Sequence, residues 1–208
     1  MKRNFQKELD ILIEKNRAEG VVPTLLLHSC CAPCSSYVLE YLSEFFKITV
    51  VYYNPNISSQ EEYALRLSEQ KRFIGELSVR NPIDLIEGEY NPKAFFNIAK
   101  GLENAPERGE RCRKCYRLRL EYTAKIAKEQ GFDYFATTLT LSPLKDAAAI
   151  NSIGEELMEI YKTPYLSSDF KKKEGYKRSL ELSREYSLYR QNFCGCVYSK
   201  RASQQKCE

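Results

Sequence analysis

The chain has 208 residues, a formal net charge of +4, 43% hydrophobic residues and 29% charged residues. That length supports one well-buried core with ordinary globular composition. No apolar run approaches the length of a membrane span, and the N-terminal MKRNFQKELDILIEKN is charged and amphipathic rather than a secretory signal. The expected setting is therefore the cytoplasm, with no membrane partner.

Residues 4–18 alternate apolar and polar groups at helical spacing, and Gly20 can end that helix. Thr24–His28 is a short apolar run after Pro23 and predicts a buried strand. Residues 35–46 predict a helix with Ser35 or Ser36 as N-cap. Ile48–Asn54 is a β-branched and aromatic run, a second strand. After Pro55, Ser58 or Ser59 can cap a helix whose first turn holds Glu61 and Glu62 and which continues to about Ser78. Ile83–Ile86 predicts a third strand, and residues 92–101 a further helix. Residues 112–130 predict a long helix ended by Gly131, and Asp133–Leu141 a fourth strand. Residues 145–161 read as a helix closed by Thr163 and Pro164. Residues 174–187 read as the last helix, and 188–208 as an irregular segment carrying Cys194 and Cys196.

Strands alternating with helices predict a single α/β domain over residues 1–208, with a doubly wound, mostly parallel sheet. In such sheets ligands bind at the carboxyl ends of strands, near the switch in strand order. The loops Cys30–Cys34, Asn54–Asn56 and Thr140–Lys145 all follow strands and should share that rim.

There are eight cysteines. In a reducing compartment they point to metal or redox chemistry rather than disulfides. They are grouped: Cys30, Cys31 and Cys34; Cys112 and Cys115; Cys194 and Cys196; Cys207 stands alone and reads as exposed and free. A scattered set would suit buried small hydrophobes; a clustered one does not. Two residues between thiols let both sulfurs turn onto one metal, and Gly195 gives Cys194-Gly-Cys196 room to turn. One tetrahedral zinc takes four ligands, and a [4Fe–4S] cluster normally takes four cysteines. Seven thiolates are too many for one site and nearly enough for two. Cys34 and Cys112 lie much further apart than the ~20 residues of a zinc ribbon, which argues against a local zinc knuckle. On spacing alone iron–sulfur, a zinc site assembled by folding, and metal-free thiol chemistry all remain open. Neighbouring side chains in an extended segment point to opposite sides, so Cys30 and Cys31 are not expected to serve one metal in the same way. The lone histidine, His28, reads as a core residue or one that supports the ligands.

The basic residues are concentrated: six in Arg108–Arg119 and five in Asp169–Arg178. Arg111, Arg113, Lys114, Arg117, Lys171, Lys172, Lys173 and Arg178 are candidates for contact with a polyanion such as RNA; a solvated helix face explains the charge alone equally well.

The stretches LLLHSCCAPCSSYVLEYL, YYNPNI, EYALRLSEQKR, CRKCYRLRL, TTLTLSPLK and SDFKKKEGYKRSLELSREYSLYRQNFCGC, in this order, resemble the cysteine-rich, cobalamin-independent epoxyqueuosine reductases of the QueH family. The resemblance covers about residues 1–200. It implies a HUP-like nucleotide-binding-type α/β fold with metal-binding loops at the carboxyl ends of the strands. It also implies the last step of queuosine biosynthesis: the epoxide of epoxyqueuosine, at the wobble position of tRNA, is reduced to the alkene. A [4Fe–4S] cluster is implied, and the surplus of thiols leaves ligands for an additional mononuclear iron. Cys30, Cys31, Cys34, Cys112, Cys115, Cys194 and Cys196 match the family's cysteine motifs, whereas Cys207 does not. The implied partners are the tRNA anticodon stem-loop and an unidentified electron donor. Epoxide reduction needs proton donors, for which Tyr53, Tyr116, Tyr189 and Asp169 are candidates by nearness to the motifs. No nucleotide cofactor is expected: where ATP pyrophosphatases of this fold carry S-G-G-x-D-S, the chain has Ser29-Cys-Cys-Ala-Pro-Cys-Ser35. The phosphate-cradling glycines are absent and Pro33 removes an N–H donor. The competing readings are a zinc-stabilised RNA-binding protein and an ATP-dependent tRNA sulfur transferase.

Overall fold

A computed structural model describes residues 3–204. Four short strands, β1 (Thr24–His28), β2 (Lys47–Tyr52), β3 (Ile83–Glu87) and β4 (Tyr134–Thr137), form one all-parallel sheet in the order β3-β2-β1-β4. The chain runs outward from β1 to β3 and then returns to the other side of β1, so the strand order switches between β1 and β4. Helices α1 (Phe5–Ala18), α2 (Ala32–Leu42), α3 (Gln60–Glu76), α4 (Pro92–Ala99), α5 (Glu110–Gln130), α6 (Ala147–Tyr161), α7 (Gly175–Glu185) and α8 (Val197–Gln204) complete the described residues. None of them is long and apolar enough to cross a membrane.

The alternation along the strands sorts the core into two layers. Leu25, Leu27, Ile48, Val50 and Ala136 face Leu9 and Ile13 of α1, Val38, Leu39 and Leu42 of α2, and Phe73 of α3. Leu26, Val51 and Phe135 face Leu120, Ala124 and Ala127 of α5 and Ile150 and Leu157 of α6. Each fully buried Leu contributes roughly 1.5–3 kcal/mol. Such two-sided burial explains why β1 reads as a continuous apolar run rather than an alternating one.

Beyond shifts of one or two residues at other element ends, four differences from the sequence reading bear on the site. Helix α2 starts at Ala32, with Cys31 as an extended N-cap and Pro33 in the first turn. A first-turn N–H has no partner within the helix, so proline costs nothing there and the helix need not wait for Ser35. Strand β2 stops at Tyr52. Strand β4 stops at Thr137, whose hydroxyl accepts a bond from Leu139 N–H and turns Thr138–Leu141 into a 3-10 turn. The segment expected to be irregular contains α8. Cys207 lies outside the described residues.

Candidate metal centre

The site is built at the carboxyl ends of β1, β2 and β4. His28 ends β1 fully buried. Its Nε2 faces the Tyr53 carbonyl at 3.2 Å and its Nδ1 faces Thr137 Oγ1 at 2.9 Å. A carbonyl only accepts, so Nε2 carries the proton and the Thr137 hydroxyl donates to Nδ1. Burial pushes the His28 pKa down to about 3, and the neutral ring serves to join three strand ends. The Ser29 carbonyl accepts from Asn54 Nδ2 at 2.9 Å. The Ser29 and Ser35 hydroxyls both donate to Gln70 Oε1 of α3, at 2.7 and 3.0 Å.

This scaffold brings Cys30, Cys31 and Cys34 together, with all three sulfurs within 4.8 Å of one another. Cys30 Sγ and Cys31 Sγ are 3.8 Å apart, so the expectation that these neighbours face opposite ways is corrected. The reason is the helix entry: Cys31 is already the N-cap and Cys34 lies in the first turn, so the chain turns between Cys30 and Cys34 rather than running extended. The S–H groups of Cys31 and Cys34 stabilise the Cys30 thiolate and hold its pKa well below the usual thiol range. The same contacts, with burial, push Cys31 and Cys34 up.

Cys112 and Cys115 lie in the first turns of α5, and burial pushes Cys115 up to about 11. Cys196 immediately precedes α8: its carbonyl accepts from Lys200 N–H at 3.0 Å and its Sγ from Ser199 N–H at 3.4 Å. All three cysteine groups therefore stand at helix N-termini, where the macrodipole favours negative charge.

The Cys194-Gly-Cys196 turn is held by residues that follow β2. Asn56 Nδ2 donates to the Cys194 carbonyl at 3.3 Å, and Ser58 N–H and Oγ donate to the Gly195 carbonyl at 3.1 and 3.3 Å. The buried Arg66, paired with Glu62 at 2.6 Å, reaches the Cys194 carbonyl at 3.5 Å. Gly195 has φ +110°, and a Cβ there would meet Ile57 Cγ1 at 2.9 Å.

Two cavities open on these groups. One, of about 390 Å³, is lined by Cys112, Cys115, Cys194 and Cys196 with Tyr116, Arg119 and Lys145. The other, of about 320 Å³, is lined by Cys30, Cys31, Cys34, Lys145 and Cys194 with Arg66 and Arg190. Cys194 and Lys145 line both. Lys145 Nζ donates to Cys194 Sγ at 3.1 Å. Burial opposes ionisation of the Cys194 thiol, but Lys145 and Arg119 outweigh it and lower its pKa. Asn56 and Lys145 thus lie on the rim where the sequence puts the post-strand loops.

Of the four candidate proton donors, Tyr116 lines the first cavity, and burial pushes its pKa up to about 12. The other three line neither cavity. Tyr53 stacks on Tyr122 with ring centroids 3.8 Å apart. Tyr189 donates to Glu62 at 3.1 Å. Asp169 pairs with Lys171 at 2.5 Å.

The basic candidates divide similarly. Arg111, expected on a surface facing RNA, is instead buried; it donates to the Leu102 and Glu103 carbonyls at 2.9 Å each and lies over the Tyr198 ring. Lys114 pairs with Glu110, Arg117 with Glu156, Lys173 with Asp10 and Arg178 with Glu40. Arg113 and Lys172 are exposed and form no ion pair among the described residues. Sequence reasoning put the loops of Asn56 and Lys145 on the rim without giving either side chain a role, and it missed Arg119 and Arg66. For Arg119 a signal existed: Cys112, Cys115 and Arg119 recur at i, i+3 and i+7, one stripe of a helix.

Residues 25–202 match the family described as Epoxyqueuosine reductase QueH. The chain is 44% identical over 200 residues to Epoxyqueuosine reductase QueH of Streptococcus pyogenes serotype M1, covering 95% of this chain and 78% of that protein. It is 44% identical over 202 residues to the protein of that name from Staphylococcus epidermidis, covering 95% and 85%. The Thermotoga maritima protein of that name is 33% identical over 181 residues, covering 85% and 90%. Among solved structures, the U34-tRNA thiolase NcsA from Methanococcus maripaludis with its [4Fe-4S] cluster aligns with a TM-score of 0.50 at 13% identity, over 94% of this chain and 68% of that one. At that identity the likeness is one of fold, and it agrees with the HUP-like sheet. The family match spans all three cysteine groups and every strand but the first residue of β1, and on that ground the chain belongs to the QueH family of epoxyqueuosine reductases.

Proposed function

We propose that the protein reduces the epoxide of epoxyqueuosine, in the anticodon stem-loop of tRNA, to the alkene of queuosine. The observation that carries this reading is the set of three thiol sulfurs within 4.8 Å of one another at the switch in strand order. Soft thiolates suit iron–sulfur centres, and the donor set fits one: Cys30, Cys31 and Cys34 would hold a [4Fe–4S] cluster. Three protein ligands leave one position for a non-protein ligand, whereas a closed structural zinc site requires four. Cys112, Cys115, Cys194 and Cys196 surround the adjacent cavity and would hold a second iron. One-electron transfer is the chemistry that such a cluster supplies when bound, and an external donor replenishes the electrons.

Conversion of an epoxide to an alkene consumes two electrons and two protons and releases water. The chain's own part is to admit the modified base, to shield it and to hold a proton nearby. Tyr116 keeps its proton at neutral pH and faces the first cavity, so its Oη is the best placed of the four candidate donors. Exposed Arg113, Lys172 and Arg190 offer charge to the RNA backbone. The test is anaerobic purification with iron and sulfide quantitation, followed by incubation with epoxyqueuosine-tRNA and a reductant and mass spectrometry of the nucleosides. Iron, sulfide and a product lighter by one oxygen support the reading; stoichiometric zinc without sulfide, or unchanged epoxide, overturns it.

A further inference from the structure

Arg119 lies 1% exposed on α5. The one hydrogen bond of its side chain among the described residues runs from Nε to the Cys115 carbonyl at 3.2 Å, back along its own helix. Nη1 and Nη2 are both buried without a partner, and the side chain lines the cavity shared by Cys112, Cys115, Cys194 and Cys196. A guanidinium stays charged in a protein, and a buried charge without a counter-charge is costly. No carboxylate answers it among the described residues. What shares the cavity with it is sulfur, from Cys112, Cys115, Cys194 and Cys196, together with the Lys145 ammonium and the Tyr116 ring, whose centroid is 5.9 Å away.

Resting on the iron–sulfur reading, we propose that Arg119 is a positioning residue that sets the reduction potential of the metal centre, its Nη1 and Nη2 donating N–H bonds to sulfur in this cavity and its fixed charge acting on both cysteine groups. The sign follows from charge. Each electron delivered adds one negative charge near a cation that has no other partner, so Arg119 favours the reduced form and raises the potential. Conservation of positive charge matters for that effect, whereas the planar fork with two free N–H groups matters for the bonds to sulfur.

The test uses the full chain, reconstituted anaerobically, as wild type, Arg119→Lys and Arg119→Gln. Iron and sulfide are quantified first, and each protein is then titrated with mediators and followed by electron paramagnetic resonance. Arg119→Gln should retain the metal but need a lower potential, with the reduced-to-oxidised ratio at fixed poise falling about tenfold, about 59 mV for one electron. Arg119→Lys should restore most of the potential. A second measurement needs no folded Gln variant: wild type labelled with ¹⁵N-arginine should show a ¹⁵N coupling in the pulsed spectrum of the reduced protein, lost in Arg119→Lys. An unchanged potential at full metal content, a wild-type spectrum without the coupling, or a coupling that persists in Arg119→Lys overturns the proposal and leaves the iron–sulfur reading standing. Wild type without iron and sulfide overturns both.

Discussion

The Lys145 ammonium stands 3.1 Å from Cys194 Sγ, and these two residues line both cavities. Cys194 is thereby the hinge between the two cysteine groups, and Lys145 sits where a carboxylate would be expected to pair it but a thiolate does so instead. Groups that bond to metal ligands typically contribute 10–100-fold to metal affinity. Lys145→Met should therefore weaken binding of Co²⁺, a coloured thiolate probe, by about 10–100-fold, and Lys145→Arg by less. Titration of the thiolate-to-cobalt charge-transfer band in the reduced protein checks this; equal affinity in all three proteins would reduce the contact to packing.

Gly195 is the tightest point of the site. With φ +110° and a Cβ position 2.9 Å from Ile57 Cγ1 and 3.3 Å from an Arg66 guanidinium nitrogen, alanine is strained and crowded at once. Gly195→Ala should cost about 1–3 kcal/mol, at about 2–4 °C of melting temperature per kcal/mol for a chain of this size, and should lower metal content because Cys194 and Cys196 move. Ser58→Ala removes one of two bonds to the Gly195 carbonyl and leaves the N–H bond in place, so its effect should be the smaller. Thermal unfolding with metal quantitation separates them; an Ala variant as stable as wild type would show that the turn adapts.

The strands, their order of succession and the rim of post-strand loops were legible because two-sided burial leaves continuous apolar runs and α/β connections are short. The grouping of the cysteines was legible in their spacing, and the fold sets the three groups around two adjoining cavities. What was not legible was local or tertiary. The helix was expected from Ser35 or Ser36, yet it starts at Ala32 with Pro33 in its first turn, and with that earlier start the Cys30 and Cys31 sulfurs come to 3.8 Å of one another. Arg119 and Arg111 were counted with a basic surface run, yet both are buried: Arg119 lines the cavity of four cysteines and Arg111 bonds to two backbone carbonyls, surroundings that composition cannot reveal. The short, polar α8 carries no apolar stripe to betray it.

Lys173 tests whether the basic run after Asp169 serves RNA or the fold. It pairs with Asp10 at 2.7 Å, with 51% and 33% of the two side chains exposed. Burial raises the Asp10 pKa, but hydrogen bonds from Lys173 and Gln6 outweigh it and hold the carboxyl below its usual 3.8. A depressed folded value stabilises the protein above pH 3.8, and that contribution is lost as pH falls through the folded value. Lys173→Ala should therefore cost about 0.2–1 kcal/mol near neutrality and progressively less in acid, read by urea unfolding across pH. Its effect on the salt dependence of tRNA binding should be smaller than that of Arg113→Ala or Lys172→Ala, each of which should lower the slope by about one. A Lys173 variant with the largest slope change would reverse this assignment.

The two cysteine groups should separate in a serine series. Serine keeps the shape but loses the soft thiolate that iron–sulfur centres require. Cys30, Cys31 and Cys34 have sulfurs within 4.8 Å of one another, so no neighbour can replace any one of them without moving backbone that Ser29, Ser35 and Gln70 hold in place. Each of these three variants should bleach the broad absorbance and lose most iron and sulfide. Cys112, Cys115, Cys194 and Cys196 line the adjacent cavity, so their variants should keep that absorbance and lose iron equivalent to a smaller centre, together with epoxide reduction. Cys194→Ser should be the most severe of the four, because it also strands Lys145, a half-buried ammonium whose hydrogen-bond acceptor is that sulfur; leaving a charged group unpaired costs more than losing a neutral contact. Anaerobic reconstitution of all seven, scored for absorbance, iron, sulfide and turnover, checks the partition. Uniform loss of the chromophore across both groups would mean that the seven thiols hold one centre rather than two.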